Sequence, residues 1–249
     1  MNLERLNRRH LKIISSLTMF IDHIAAAITY NIGKVNVQNN VFQFIVDNNY
    51  IFRSIGRIAF PIYCFMFVNS WNKTSNKVKY MINLLIFSAI SEPIYDKVFN
   101  YSTYPFTEGY NNQNIIFIFF FCSLYFYFCE TVCENTDRLV KRKELIIYGG
   151  IIPILIYVIR KSGVDYGING AIPILTYYFL NNKKFLQKLS TLFTFLFETI
   201  IFPSTLLATP IILMYNDKSV KFNKIEKYFY YIFYPLHLFV IGLIVGVIF

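Results

Sequence analysis

Apolar residues along this chain gather into blocks of about membrane length, and polar residues fall into short stretches between them. The first block, Leu11 to Tyr30 (LKIISSLTMFIDHIAAAITY), predicts a spanning helix from about Lys12 to Tyr30. Arg5, Arg8, Arg9 and Lys12 precede it, and the excess of basic residues on cytoplasmic loops assigns that side, and the N-terminus, to the cytoplasm. A second segment, about Tyr50 to Trp71, returns to Lys73, Lys77 and Lys79, and a third, about Tyr80 to Tyr95, goes out to a polar loop, Asp96 to Asn112. The fourth, about Gln113 to Cys129, comes back to Arg138, Lys141, Arg142 and Lys143. Segments five (about Leu145 to Arg160) and six (about Gly167 to Leu180) are joined outside by Lys161 to Tyr166 and end at Lys183, Lys184 and Lys188. Leu189 to Tyr215 is too long for one span and contains Pro203 and Pro210, so it is split near Phe202 into two short helices. Lys218, Lys221, Lys224 and Lys227 follow, and the last span, Tyr228 to Phe249, ends outside. The fold class expected is an all-α polytopic transmembrane bundle of about nine spans, N-terminus cytoplasmic, because no even-numbered alternative keeps every basic cluster on one side.

Composition agrees. The 249 residues are 55% hydrophobic and only 15% charged, and mean hydropathy is positive, a balance that soluble enzymes rarely reach. At about 20 residues per span the length accommodates roughly eight to ten helices and no separate soluble domain, so residues 1–249 read as one membrane domain. The net charge of +10 sits in the short clusters between apolar segments, which argues against nucleic acid as a partner and for the lipid bilayer of the plasma or inner membrane. Cys64, Cys122, Cys129 and Cys133 lack zinc-ribbon spacing and lie in or near apolar segments, so free thiols are expected. Arg8 and Arg9 before an apolar run ending in Ala25, Ala26 and Ala27 resemble a signal peptide, but Asp22 and His23 just before that site argue against cleavage.

Candidate chemistry begins with those two residues. An ionisable side chain at the bilayer centre costs roughly 2.5 to 3.5 kcal/mol on insertion scales and is expected to face a protein interior or watery cavity. His23 lies eleven positions after Lys12, roughly 16 Å into the membrane at about 1.5 Å per residue, and His237, nine after Tyr228, lands at similar depth. Arg57 enters from the outer end of segment two with Arg53 one turn above, while Glu92, Asn114, Asp165, Asn169 and Glu198 sit near outer helix ends. The convergence predicts a polar cavity opening outward with two imidazoles at its floor; the alternative is a structural network in which Arg53, Arg57, Asp22 and Glu92 satisfy one another. Asp22 and His23 project about 100° apart on a helix, so Asp22 is expected to pair with an arginine or cap a neighbouring group rather than orient His23. His23, His237 and a carboxylate are possible metal ligands, but no HExxH or comparable spacing appears, so no metal is expected, and phosphate-cradling glycine loops are absent.

Several blocks together resemble the TraX family of membrane proteins, whose namesake acetylates the N-terminus of F pilin. They are LKIISSLTMFIDHI from Leu11, IGRIAFPIYCFM from Ile55, LLIFSAISEPIYD from Leu84, QNIIFIF from Gln113, DYGINGAIPIL from Asp165 and FYYIFYPLHLFVI from Phe229, in family order over nearly the whole chain. A looser similarity is to acyltransferase-3-type membrane enzymes, which carry arginine, ten residues, then histidine on their first functional helix; Lys12 to His23 has that spacing with lysine for arginine.

The resemblance implies an integral membrane acetyltransferase with acetyl-CoA as co-substrate. Its phosphates would meet Lys12, Arg8 and Arg9, and the acceptor, a peptide N-terminus, a sugar or a lipid headgroup, would approach from the outer cavity. His23 would act as general base and Arg57 would stabilise the oxyanion at the thioester carbonyl. Arg53 would support Arg57 or orient the acceptor, Asp22 would serve as a charge partner, and His237 would be a second candidate base or an acceptor-orienting group. Direct attack and an acetyl-histidine intermediate are both open. The rival expectations are a small-solute transporter or channel, disfavoured by the lack of an internal repeat with matched broken helices, and an accessory subunit without activity.

Overall fold

Asn7 starts the first helix. Its side chain accepts from the backbone amides of Arg9 (2.9 Å) and His10 (3.1 Å), while His10 Nδ1 accepts from the Asn7 amide, a reciprocal cap that fixes α1 at Arg8–Tyr30. The helix therefore begins one turn earlier than its hydropathy implies. The computed structural model describes residues 5–31, 40–100, 113–134, 141–218 and 223–247. Among them it is all-helical, without strands. Arg138, Lys221 and the stretch 101–112 lie outside the described residues, as do the side chains of Cys133, Lys141, Arg142, Lys143, Lys224 and Lys227.

After α1 come α2 (Asn40–Asp47), α3 (Asn49–Gly56) and α4 (Ala59–Lys73). The expected second segment is thus a bent pair, and the bend has a local cause: Pro61 has no amide hydrogen for the Arg57 carbonyl four residues back, and its ring crowds that carbonyl. Arg57 and Ile58 fall between the two helices. Next is α5 (Lys77–Tyr95), capped by the Asn76 side chain on the Lys79 amide and continued by a π-helical turn, Asp96–Asn100, where a loop had been expected to begin. Then follow α6 (Ile116–Glu134), α7 (Lys141–Ser162) and α8 (Gly167–Phe179).

The stretch after α8 is more broken than the two helices expected of it. It consists of α9 (Lys184–Leu189), α10 (Thr191–Thr194), α11 (Leu196–Ile201), a 3-10 turn at Pro203–Leu207 and α12 (Ala208–Leu213). The chain turns at Phe202, at the expected place, and returns to its starting level: Lys188 Nζ donates to the Tyr215 carbonyl at 2.7 Å. At the turn, Ser204 Oγ donates to the Ser54 carbonyl (2.6 Å) and Tyr50 to the Ile201 carbonyl (3.2 Å), so the tip reaches the level of α3. The last helix, α13 (Lys224–Val245), opens on a capping box between Asn223 and Glu226 and closes on Gly246 at φ 73°.

Among the described residues, three helical stretches, Arg8–Tyr30, Asn49–Lys73 and Tyr228–Val245, are long and apolar enough to cross a membrane. Large apolar side chains such as Leu17, Ile82, Ile154 and Ile200 point outward, whereas Asp22, Glu92, Asn114 and His237 are buried. That distribution suits a chain solvated by lipid and marks a membrane protein. Lipid provides no hydrophobic drive between helices, so close packing of small residues holds them. Ala25 is buried where α1 meets α3, with Asn49 Nδ2 bridging to the Ala25 carbonyl (3.2 Å) and Thr29 Oγ1 (2.6 Å), while Ala27 packs toward Val98 and the Ile241 and Val245 side chains of the last helix. Nearby, Gly56 lies so close to Asp22 that a Cβ there would collide with its side chain. Around Trp71, Phe65, Phe126 and Tyr177 the α4, α6 and α8 faces form the main core, with Glu130 accepting from Trp71 (2.8 Å) and Tyr178 (3.0 Å). Cys64, Cys122 and Cys129 are buried, and none of them is in a disulfide.

Candidate active site

Between α1, α3, α4, α5, α6 and α13 lies a cavity of about 630 Å³. Its wall follows α1 from Arg8 and Lys12 past Asp22 and His23 to Tyr30, about 33 Å of helix at about 1.5 Å per residue, so it is as long as a bilayer core is thick. Arg8 and Lys12 line the basic end; Arg53 and Arg57 line the cavity further along, where Arg53 and Gly56 meet Asp22 next to His23, and Asp165 is also in the lining.

The two histidines meet. His23 Nδ1 is 2.7 Å from His237 Nε2, and His237 Nδ1 is 2.7 Å from the Phe233 carbonyl. A carbonyl only accepts, so His237 Nδ1 carries a proton and, in the neutral ring, Nε2 carries the lone pair. His237 Nε2 then accepts from His23 Nδ1–H, which leaves the His23 lone pair on Nε2. His237 is buried and His23 lines the cavity, so the chain of bonds ends at the Nε2 lone pair of a cavity-lining side chain. The rings of His23 and His237 lie nearly parallel (16°), and Phe233 stacks on His237 at 5.0 Å, fixing both planes. This arrangement occupies three of the four imidazole nitrogens, and among the described residues no group of three or more metal-ligating side chains gathers.

Asp22 pairs with Arg53, Oδ2 to Nη1 at 2.8 Å, and does not touch His23 through any described bond. Arg57, turned inward by the break between α3 and α4, donates from Nη1 to Glu198 (3.1 Å) and to the Tyr166 hydroxyl (2.5 Å), with Phe202 under its guanidinium at 4.9 Å. Tyr166 is the N-cap of α8 and sits in the left-handed region at φ 61°, a conformation that costs a non-glycine residue roughly 1 to 2 kcal/mol. Three contacts hold it there: Asp165 Oδ1 accepts its amide at 2.9 Å, the Phe60 ring lies 4.0 Å away, and Arg57 grips the hydroxyl. Strain maintained in this way beside a charged cavity is typical of functional sites.

The remaining expected site residues separate. Glu92 and Asn114 are buried together outside the cavity wall: Glu92 accepts from the Asn114 amide (3.0 Å) and side chain, and Asn114 donates to the Ser88 carbonyl (2.9 Å). They clamp the start of α6 to α5, because the α6 N-terminus needs acceptors inside the bundle. Asn169, expected in the cavity, is exposed on the first turn of α8. Arg9 pairs with Glu226 at 2.8 Å and does not line the cavity, since it projects from α1 toward the start of α13. Lys12 does line it, with its ammonium 4.0 Å above the Tyr230 ring, and Arg8 donates to Ser70 at 2.6 Å. Glu198, placed near an outer helix end by the sequence, is the ion-pair partner of Arg57, while Tyr166 and the Phe233 carbonyl complete the site without having been singled out from the sequence. Tyr166 had one signal, its place between Asp165 and Gly167; Phe233 had none.

A family model described as TraX protein matches residues 7–245, which include both histidines and every charged group of the cavity. No curated protein and no solved structure matches the chain. With the match spanning nearly the whole length, the chain belongs to the TraX family.

Proposed function

We propose that this protein is an integral membrane acetyltransferase that moves an acetyl group from cytoplasmic acetyl-CoA to an acceptor at the outer side of the plasma or inner membrane. In this reading the N-terminus is cytoplasmic and the helices form about nine crossings, counting the two arms that meet at Phe202. The observation that carries it is a single cavity lined by cationic Arg8 and Lys12 at one end and, further along α1, by His23 together with Arg53, Arg57 and Asp165. Membership of the TraX family supports the same reaction class.

His23 Nε2 takes the proton from the acceptor's amine or hydroxyl as that atom attacks the thioester carbonyl carbon, a role worth typically 10² to 10⁴ in rate. Negative charge develops on the carbonyl oxygen, where the Arg57 guanidinium, held by Glu198 and Tyr166, is the stabilising group. The carbon–sulfur bond then breaks, and the imidazolium returns its proton to the departing thiolate. The products are the acetylated acceptor, the free thiol of CoA and neutral His23. His237 is a positioning residue: it holds the His23 tautomer and ring plane. An acetyl-His23 intermediate would use the same nitrogen, and labelled acetyl on the protein before acceptor is added distinguishes that route from direct attack.

Purified protein should be thermally stabilised by acetyl-CoA and should release thiol from it when acceptor-bearing membranes are added. Neither effect in folded protein would defeat the reading and leave the cavity as a path for a small polar solute.

A further inference from the structure

A second cavity, about 350 Å³, opens beside the basic end of the first. The two share Arg8, Ser70, Tyr80 and Tyr231 as common wall, so they are neighbouring chambers rather than separate sites. The second chamber adds the turn between α4 and α5, with Lys73, Asn76 and Lys79. Its described lining holds three cationic side chains, Arg8, Lys73 and Lys79, and no carboxylate. Asp217, the ion-pair partner of Lys73, lies outside that lining. The first turn of α5 forms part of the wall without an acidic residue, so the positive end of a 19-residue helix adds to the potential. Along α1, Arg8 is about 22 Å from His23 at about 1.5 Å per residue. A ligand filling both chambers is therefore long, carries its reactive group at one end and is polyanionic at the other.

We propose that the second chamber binds the phosphate groups at the nucleotide end of the acetyl donor, with Arg8, Lys73 and Lys79 as the cationic wall, while the thioester arm runs along α1 to His23. The assignment rests on the acetyltransferase reading and moves the phosphate contacts from Arg9 and Lys12 to the turn between α4 and α5. Arg9 faces Glu226, and Lys12 lies over Tyr230 along the course of the arm.

The test compares two donors on the full-length protein: acetyl-CoA, and acetyl-pantetheine, which has the same thioester and arm but no nucleotide phosphates. Lys79→Ala and Lys73→Ala should each lower kcat/KM for acetyl-CoA on the order of tenfold, mostly through KM, the size of one charge-assisted contact. Both should leave kcat/KM for acetyl-pantetheine unchanged, and Lys79→Arg should restore the acetyl-CoA value. Adenosine 3′,5′-bisphosphate should compete with acetyl-CoA in the parent and lose potency in Lys79→Ala. Equal losses with both donors, or none with either, would overturn the assignment while leaving acetyl transfer intact. Variants that lose affinity for anionic phospholipid vesicles but keep parental kinetics would make the chamber a lipid headgroup site and overturn it too. A folded parent that transfers from neither donor would instead bring down the acetyltransferase reading, and this assignment with it.

Discussion

Replacing His237 separates the orientation of His23 from its basicity. His237→Leu removes the acceptor for His23 Nδ1–H, a contact of 2.7 Å inside the bundle, and leaves that donor without a partner. An unsatisfied buried donor costs about 1 to 3 kcal/mol. If that cost falls on the tautomer and ring orientation needed in the transition state, turnover drops roughly 5- to 150-fold, at about 1.4 kcal/mol per tenfold. His237→Gln and His237→Asn divide the contact. A glutamine amide reaches the position of the His237 Nε2 lone pair and can still accept from His23. An asparagine amide reaches only the Nδ1 position and can donate to the Phe233 carbonyl without touching His23. The expected order of turnover is parent, Gln, then Asn and Leu together. The assay is incorporation of labelled acetyl from saturating acetyl-CoA into acceptor-bearing membranes, normalised to folded protein. Asparagine matching glutamine would refute the reasoning, because the contact to His23 would then be irrelevant and His237 would be an ordinary buried residue.

Gly56→Ala forces a methyl group into the Asp22 side chain and should lower stability by about 1 to 3 kcal/mol, whereas Gly149→Ala meets nothing within 4 Å and should be neutral or stabilising by up to about 1 kcal/mol; thermal melts in detergent that rank the two equally would contradict the close approach of α1 and α3. Glu92→Gln weakens the clamp on the Asn114 amide and should lower the melting temperature while leaving KM and kcat at parental values, and an altered acceptor KM would return Glu92 to the site. Reporter tags at Lys141 and Lys221 should read cytoplasmic and one after Phe249 should read outside; a cytoplasmic C-terminus would remove one crossing, with Leu189 to Tyr215 as the first place to look.

Much of the architecture was legible because a bilayer imposes strong rules. The apolar blocks marked α1, the α3 and α4 pair and α13, and Pro203 marked the turn at Phe202. Asp22 and His23 stood out because ionisable groups in such a block need an interior, and their angular separation implied that Asp22 does not orient His23; which arginine it meets, Arg53, came only from the structure. Polar residues near helix ends were harder to sort. Glu92, Asn114 and Asn169 share a depth with Arg57 and Asp165, but depth does not give azimuth: Glu92 and Asn114 face each other and Asn169 faces outward. Arg9 and Arg8 are adjacent, and one helical step sends the first to Glu226 and the second to the cavity. Tyr166 was masked by abundance, since aromatic residues make up 19% of the chain and a single tyrosine carries little signal. The bond between the histidines joins residues 214 positions apart, a separation that no local pattern encodes.

The central claim is that His23 Nε2 is the base in an acetyl transfer along this cavity, and His23→Gln tests it most directly. The variant and the parent are compared for labelled acetyl transfer from acetyl-CoA and, in the same preparation, for thermal stabilisation by acetyl-CoA. The expected result is transfer reduced by roughly 10² to 10⁴ with stabilisation retained. Transfer above about a tenth of the parental rate in a stabilised variant is too much for a lost general base and would contradict the claim.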